Sequence, residues 1–231
     1  MRVAIIPAKG KSKRLPRKNA LDIGGRPMLT YPIRAALQSG LFDIVAVSTE
    51  DAEIAAIAKE EGATVYPRPA FLSAPNCTVA QVCRNVLMVM REVQKIIPDL
   101  MCCLYATAVF VEPEDLQESS ELLEKTDFVM GVSEFPYSVP HGLIEDKGYL
   151  RPEDSKNFKY KGGWYPRRLS SNGTIYWVRV KAFEAVKDFY GPRLVGYEMP
   201  LSKGLDINTE DDYKLACKLM NSGLAPNLPT E

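Results

Sequence analysis

The sequence predicts an α/β protein: a mixed, mostly parallel sheet with helices on both faces and one protruding insertion. Three observations predict it. Short apolar runs recur along the chain and read as buried strands. Stretches with apolar residues at helical spacing alternate with them, giving the rhythm β-α-β-α-β-α-β-α-β. The rhythm breaks over 134–171, where prolines, glycines, aromatics and charges mix without a period.

The run at 3–6 is the first strand, followed by a loop over 8–19 and a turn over 22–27. A helix over 28–39 places Ile33, Ala36 and Leu37 on one face and stops at Gly40. Its Pro32 falls in the first turn, where a missing amide hydrogen is harmless. The second strand covers 43–48, and the next helix covers 49–62 with Ile54, Ile57 and Ala58 inward. A short third strand lies at 64–66. Pro67-Arg68-Pro69 excludes helix and opens a loop to about Asn76. A long helix over 78–97 turns Val79, Val82, Val86, Leu87 and Met90 inward. A fourth strand over 100–105, a helix over 113–125 and a fifth strand over 127–133 complete the rhythm. Beyond the insertion come a strand over 172–178, a helix over 181–189 and a strand over 194–198. The segment 203–205 is strand-like. Thr209-Glu-Asp-Asp212 is a capping pattern that opens a last helix over 209–220, and 226–231 reads as a frayed tail. Residues 1–231 read as one domain, with 134–171 as a lid or dimer contact. Right-handed crossovers set the loops after strands one, three and four on one rim.

The loop over 8–19 carries the most chemistry. Lys9, Lys11, Lys13, Arg14, Arg17 and Lys18 crowd into it beside Gly10 and Ser12. A strand feeding a cationic, amide-rich loop makes a polyphosphate cradle. In open α/β sheets, ligands bind beyond the carboxyl ends of the strands. Neither the Walker A spacing nor the dinucleotide glycine fingerprint is present. Lys plus Arg number 29 and Asp plus Glu number 29, so the basic loop is local and nucleic-acid binding is not expected. Five cysteines without a C-x-x-C pair read as reduced core thiols of a cytoplasmic chain. Adjacent Cys102 and Cys103 point to opposite faces of their strand. The single histidine, His141, excludes a multi-histidine zinc site and is not expected to be the base. No signal peptide or membrane-spanning stretch is read.

These motifs, taken together, resemble the sialic-acid-type cytidylyltransferases, which make CMP-activated nonulosonic acids. The family's A-R-x-x-S-K-x-x-x-K-N stands here as Ala8-Lys-Gly-Lys-Ser-Lys-Arg-Leu-Pro-Arg-Lys-Asn19. Its V-S-T-D appears as Val47-Ser-Thr-Glu50, its R-P as Arg68-Pro69, and its N-G-x-I-Y as Asn172-Gly-Thr-Ile-Tyr176. Its D-I-D-x-x-x-D appears as Asp206-Ile-Asn208 followed by Thr209-Glu-Asp-Asp212. Cys102-Cys-Leu-Tyr-Ala-Thr-Ala108 is most similar to the pseudaminic acid branch. The ordered set spans nearly the whole chain.

The resemblance implies a Rossmann-like nucleotide-diphospho-sugar transferase fold and a homodimer. It implies transfer of CMP from CTP to a nonulosonic acid with Mg2+, pyrophosphate leaving in line. Catalysis would rest on Lys18 and Asp206. CTP would contact Ala8, Lys9, Gly10, Ser12, Lys13, Asn19, Arg68, Asn76 and Thr78. The sugar would meet Tyr105, Thr107, Asn172 and Gly173, and the metal would meet Asp206 and Asn208. Read as residues alone, Asn172-Gly173 fits a turn before a strand equally well, and Lys11 and Arg17 fit solvated charge equally well. The chain departs from the pattern at Lys9 for arginine, Asn208 for aspartate, Pro75-Asn76 for Asp-Thr, and Ser170-Ser171 where an arginine often stands. Another acid acceptor (N-acylneuraminate, legionaminate or 3-deoxy-manno-octulosonate) and a catalytically impaired nucleotide-binding homologue remain as alternatives.

Overall fold

The computed structural model describes residues 1–135, 141–156, 166–224 and 226. Seven strands form the central sheet: β1 (Arg2–Pro7), β2 (Ile44–Thr49), β3 (Thr64–Pro67), β4 (Leu100–Leu104), β5 (Phe128–Glu134), β6 (Leu169–Arg179) and β7 (Val195–Glu198). Their order is β7-β5-β6-β4-β1-β2-β3. β6 is antiparallel to both neighbours, and every other pair is parallel. The carboxyl ends of β1, β2, β3 and β4 therefore share one rim. The early part of β6 meets the same rim, because Ile175 pairs with Leu104.

Helices α1 (Thr30–Gln38), α2 (Ala52–Glu60), α3 (Val79–Glu92), α4 (Pro113–Glu121), α5 (Val180–Val186) and α6 (Glu210–Leu219) complete the framework. Strand alternation divides the core. Ala4, Ile6, Cys102 and Trp177 face α1, α2 and α4 through Ile33, Ile54 and Leu116. Val3, Ile5, Cys103 and Tyr176 face α3 and α5 through Leu87, Met90 and Phe183. Cys102 and Cys103 thus point to opposite faces. All five cysteines are free thiols, and Cys83, Cys102 and Cys103 are buried.

Several boundaries differ from the sequence expectation, each for a local reason. α2 starts at Ala52 because the Asp51 carboxylate caps it, accepting from the Glu53 and Ile54 amides. Thr49 stays in β2, opposite Pro67. α3 ends at Glu92, and Lys95 adopts a left-handed conformation at φ 60°. The helix expected over 113–125 tightens into a 3-10 turn at Leu122–Glu124. Ser170 and Ser171 belong to β6 and pair with β5, so the insertion is shorter than 134–171. The segment 203–205 is no strand; its amides at Lys203 and Gly204 both turn back to the Pro200 carbonyl, each at 3.0 Å. Within the insertion, Leu143–Asp146 pairs with Tyr149–Pro152 as a hairpin. The stretch 136–140 and the tail beyond 226 lie outside the described residues.

A third apolar cluster matters most for the site. Leu15, from the middle of the basic loop, packs with Ile23, Met28, Val109, Phe110, Ala216 and Ile207. Leu15 is 3% exposed and Ile207 is fully buried. Each buried aliphatic side chain is worth about 1.5–3 kcal/mol. This burial draws the basic loop and the 206–208 segment to one place, though nearly two hundred residues separate them.

Candidate active site

β1 delivers the basic loop to the shared rim. The Ala8 amide donates to the Ser48 carbonyl at 3.0 Å, so Ala8 extends the sheet and is itself buried. Gly10 turns away from the cleft: its amide donates to Glu50 Oε1 at 3.0 Å, and a Cβ there would meet Asp51 Oδ2 at 2.5 Å. Asn19 closes the loop on itself, its Nδ2 donating to the Lys9 carbonyl at 2.9 Å.

Beyond this closure lies a cleft of about 380 Å3. Lys9, Lys11, Ser12, Lys13, Arg14, Lys18 and Asn19 line it together with Pro75, Val79, Tyr105, Ala106 and Thr107. Five of the loop's six cations face it. The sixth, Arg17, pairs instead with Glu53 on the surface. Arg14, Lys11 and Pro75 are lining residues absent from the expected contact set. The charge cluster already contained the first two, and the Pro67–Asn76 loop contained the third.

Lys18 is the focus of the acidic end. Its Nζ donates to the Ile207 carbonyl at 2.8 Å and to Asn208 Oδ1 at 3.1 Å. Arg14 Nη2 donates to the same Oδ1 at 2.9 Å. Asn208 Nδ2 donates to Asp206 Oδ2 at 2.6 Å. Burial is the main influence on Lys18 and holds its ammonium below the usual lysine value; Asp206 pulls upward, Arg14 downward, and Asp212 upward. The expected pair, Lys18 and Asp206, is therefore joined through one amide.

The Asp206 segment is held closely. Gly173 has φ 69°, and a Cβ there would come within 3.0 Å of the Asp206 carboxyl carbon. Gly204 admits no side chain either, since its Cβ would lie 2.5 Å from Ser133 Oγ and 2.7 Å from Asn172 Nδ2. Lys203 bonds Glu112 and Asp115 at the start of α4. Thr209 and Asp212 form the expected capping box on α6. Asn172 and Gly173 lie inside β6, at a break in register between Ser171 and Tyr176, and do not form the turn that their sequence also fits. Asn172 is buried; its Nδ2 donates to Ser133 Oγ at 3.3 Å and its Oδ1 accepts from Thr174 Oγ1 at 2.6 Å. It supports the wall and leaves Tyr105 and Thr107 to face the cleft. Tyr105 stacks on Tyr176 with ring centroids 5.1 Å apart, and burial first, then Tyr176 and Cys103, keep its phenol protonated well above the usual range.

The loop after β3 behaves differently from expectation. Arg68 is 7% exposed and does not line the cleft. Its Nη2 donates to the Ser48 carbonyl at 2.7 Å, and its Nε lies 3.9 Å from Glu50 without a hydrogen-bond partner. Thr78 is engaged as the N-cap of α3 in a capping box with Gln81. Asn76 is exposed beside Pro75 and outside the lining.

Magnesium commonly takes one or two carboxylates, phosphate oxygens and water. Asp206, exposed and joined through Asn208 to the cleft-lining Lys18 and Arg14, fits such a set as a single carboxylate. Among the described residues no group of three or more His, Cys, Asp or Glu could hold a metal by itself. No described helix is long and apolar enough to cross a membrane.

Comparison with known proteins gives the family and the fold. Residues 3–149 match the family model described as Cytidylyltransferase. The pseudaminic acid cytidylyltransferase of Campylobacter jejuni is 30% identical over 93% of this chain and 94% of its own. The CMP-N,N'-diacetyllegionaminic acid synthase of Legionella pneumophila is 31% identical over 94% of this chain and 95% of its own. The solved structure of a CMP:2-keto-3-deoxy-manno-octonic acid synthetase complexed with CTP superposes with a TM-score of 0.69, covering 96% of this chain and 98% of that one; at 17% identity it shows the Rossmann-like nucleotidyltransferase fold. The chain belongs to the cytidylyltransferase family and is a nucleotidyltransferase.

Proposed function

We propose that this protein transfers CMP from CTP to a nonulosonic acid, with pseudaminic acid as the acceptor. The single observation that carries the reading is a cleft that Lys18, joined to Asp206 through Asn208, lines together with Tyr105 and Thr107. The acceptor class draws support from the relatives in Campylobacter jejuni and Legionella pneumophila, whose names specify sugar acids of this kind. In the reaction, the acceptor's anomeric oxygen forms a bond to the α-phosphorus, the bond to the β-phosphate bridging oxygen breaks, and pyrophosphate leaves. The hydroxyl proton passes to solvent or to a base in the cleft.

Both substrates are anionic. A like-charge pair at about 4 Å opposes binding by roughly 4 kcal/mol at an effective dielectric near 20. Lys9, Lys11, Lys13, Arg14 and Lys18 offset that repulsion along the triphosphate. Lys18 stabilises the charge that develops on the leaving pyrophosphate. Asp206 would hold Mg2+, which when bound supplies Lewis-acid neutralisation of the phosphate oxygens. Ser12 and Asn19 would add polar contacts, and the Pro75 side of the cleft would take the base.

The test is pyrophosphate release. It should require CTP, Mg2+ and a nonulosonic acid together, and its absence with every acid of the class would overturn the reading. A second acceptor, a diacetylated legionaminic acid, is favoured by the 31% identical Legionella relative. A panel of acids compared by kcat/KM decides between them. The same reading takes residues 1–231 as one cytoplasmic nucleotidyltransferase domain working as a homodimer. The exposed Leu143, Ile144, Tyr149 and Leu150 of the insertion hairpin support a contact there. Light scattering that returned a monomer at working concentration would reject the dimer.

A further inference from the structure

We infer that Asn208 is a positioning residue for two phosphate-binding cations and supplies no ligand to the metal. This rests on the proposed use of the cleft for a metal-bound triphosphate. A side-chain amide oxygen has two lone pairs. Here two cationic donors reach it, Arg14 Nη2 at 2.9 Å and Lys18 Nζ at 3.1 Å. The other end of the amide, Nδ2, donates to Asp206 Oδ2 at 2.6 Å. The amide cannot be turned over to free its oxygen. Reversed, it would set an NH2 group against two cations and a carbonyl oxygen against a carboxylate, so its partners fix its orientation. The atom facing Asp206, and hence any cation that Asp206 holds, is a nitrogen with no lone pair to give.

The geometry also says what the amide accomplishes. Lys18 and Arg14 carry like charge and converge on one oxygen. A neutral acceptor gathers them without neutralising either, so their full charge stays available to a triphosphate. A carboxylate in the same place would form ion pairs with both and compete with the phosphates. The backbone of the segment needs nothing from this side chain. The Asn208 amide donates to Asp212 Oδ2 at 3.0 Å, and Ile207 anchors the segment by full burial. Substitutions at 208 therefore leave the fold intact, which unchanged thermal unfolding would verify.

Calorimetric titration with CTP alone separates the two roles, once in EDTA and once in excess Mg2+. It needs no acceptor and no turnover. For Asn208→Ala, the positioning role predicts weaker CTP binding by about five- to tenfold in both conditions, with the Mg2+ enhancement unchanged. Unchanged binding in EDTA with a reduced Mg2+ enhancement would overturn the inference and make Asn208 a metal ligand. Asn208→Asp provides the opposite arm. It should weaken CTP in EDTA at least as much as the alanine variant and raise the Mg2+ enhancement above wild type. Tighter or unaltered CTP binding by Asn208→Asp in EDTA would also overturn it. Failure of the wild-type chain to bind CTP would remove the proposed function itself; normal wild-type binding with the wrong variant pattern would remove this inference alone.

Discussion

The two loops expected to hold CTP use their polar groups in opposite ways. The loop over 8–19 turns five cations into the cleft, and its structural work is done by main-chain groups, Asn19 and the buried Leu15. The loop that begins at Arg68 commits two of its polar groups to the scaffold: buried Arg68 to the Ser48 carbonyl, and Thr78 to Gln81 at the start of α3. The difference follows from partners. Among the described residues none of the five cleft-lining cations forms an ion pair: Lys11, Lys13 and Arg14 are exposed, and Lys18 and Arg14 bond neutral acceptors, so their charge stays uncompensated. A single arginine next to the end of β2 finds a carbonyl and Glu50 within reach, and becomes scaffold. Arg68 then shapes the rim from behind and does not line the cleft.

The largest effect should come from breaking the scaffold loop. Arg68→Met removes a charge-assisted hydrogen bond from a buried site, worth about 2–3 kcal/mol. For a chain of this size that lowers Tm by about 5–10 °C. Differential scanning calorimetry checks it. An unchanged Tm paired with a large loss of CTP affinity would reverse the assignment and return Arg68 to the ligand.

Breaking the cleft-lining loop, or the Asp206 segment joined to it, should give the converse pattern. Lys18→Ala and Asp206→Ala should each lower kcat/KM by at least about tenfold, roughly 1.4 kcal/mol. Near-normal kinetics in either variant would remove that residue from the mechanism. Lys18 also predicts a pH dependence. Burial, its leading influence, lowers its pKa, so it keeps its charge only below that lowered value. CTP affinity measured without metal should therefore fall as pH rises, beginning at lower pH than an ordinary lysine would allow. In Lys18→Ala that part of the pH profile should vanish.

The contrast also explains what could be read in advance. Periodicity gave the strands of the central sheet, the helices and the two-faced core, down to the opposed Cys102 and Cys103, because burial alternates with the backbone. It failed at 203–205, which is no strand, and at Leu37, which is 43% exposed. Helix ends were legible at Thr209 and Asp212, and misplaced at α2 and α3: β2 runs on to Thr49 and so delays α2 to its Asp51 cap, and Lys95 ends α3 through its backbone conformation. Charge crowding pointed to the loop that lines the cleft. What stayed hidden was tertiary pairing. Nothing near Arg68 in sequence reveals the Ser48 carbonyl, and nothing near Asn208 reveals Arg14, 194 residues away. Asn172 illustrates the same limit, since its partners Ser133 and Thr174 decide that it supports the wall.

Thr78 sharpens the comparison with a smaller effect. If it acts as an N-cap, Thr78→Ala loses about 1 kcal/mol of stability, visible as a lower denaturant midpoint with an unchanged slope. CTP affinity should stay within about twofold of wild type. A variant of normal stability with weakened CTP binding would place the hydroxyl on the ligand.

The smallest effect is expected at Arg17, and it tests whether membership of the basic loop is enough. Arg17 belongs to the same charge cluster as Lys18, yet it has a left-handed backbone at φ 55° and pairs with Glu53 at the surface, away from the cleft. An exposed ion pair contributes about 0–1 kcal/mol, and salt screens its reach to the phosphates. Arg17→Ala should therefore alter CTP affinity by less than about twofold at physiological ionic strength, while Arg14→Ala, which removes a lining cation, should weaken it several-fold. Equal losses in the two variants would mean that the loop acts through its summed field. Unequal losses would mean that it acts through the side chains that line the cleft, which is the arrangement the Lys18–Asn208–Arg14 contacts are built to hold.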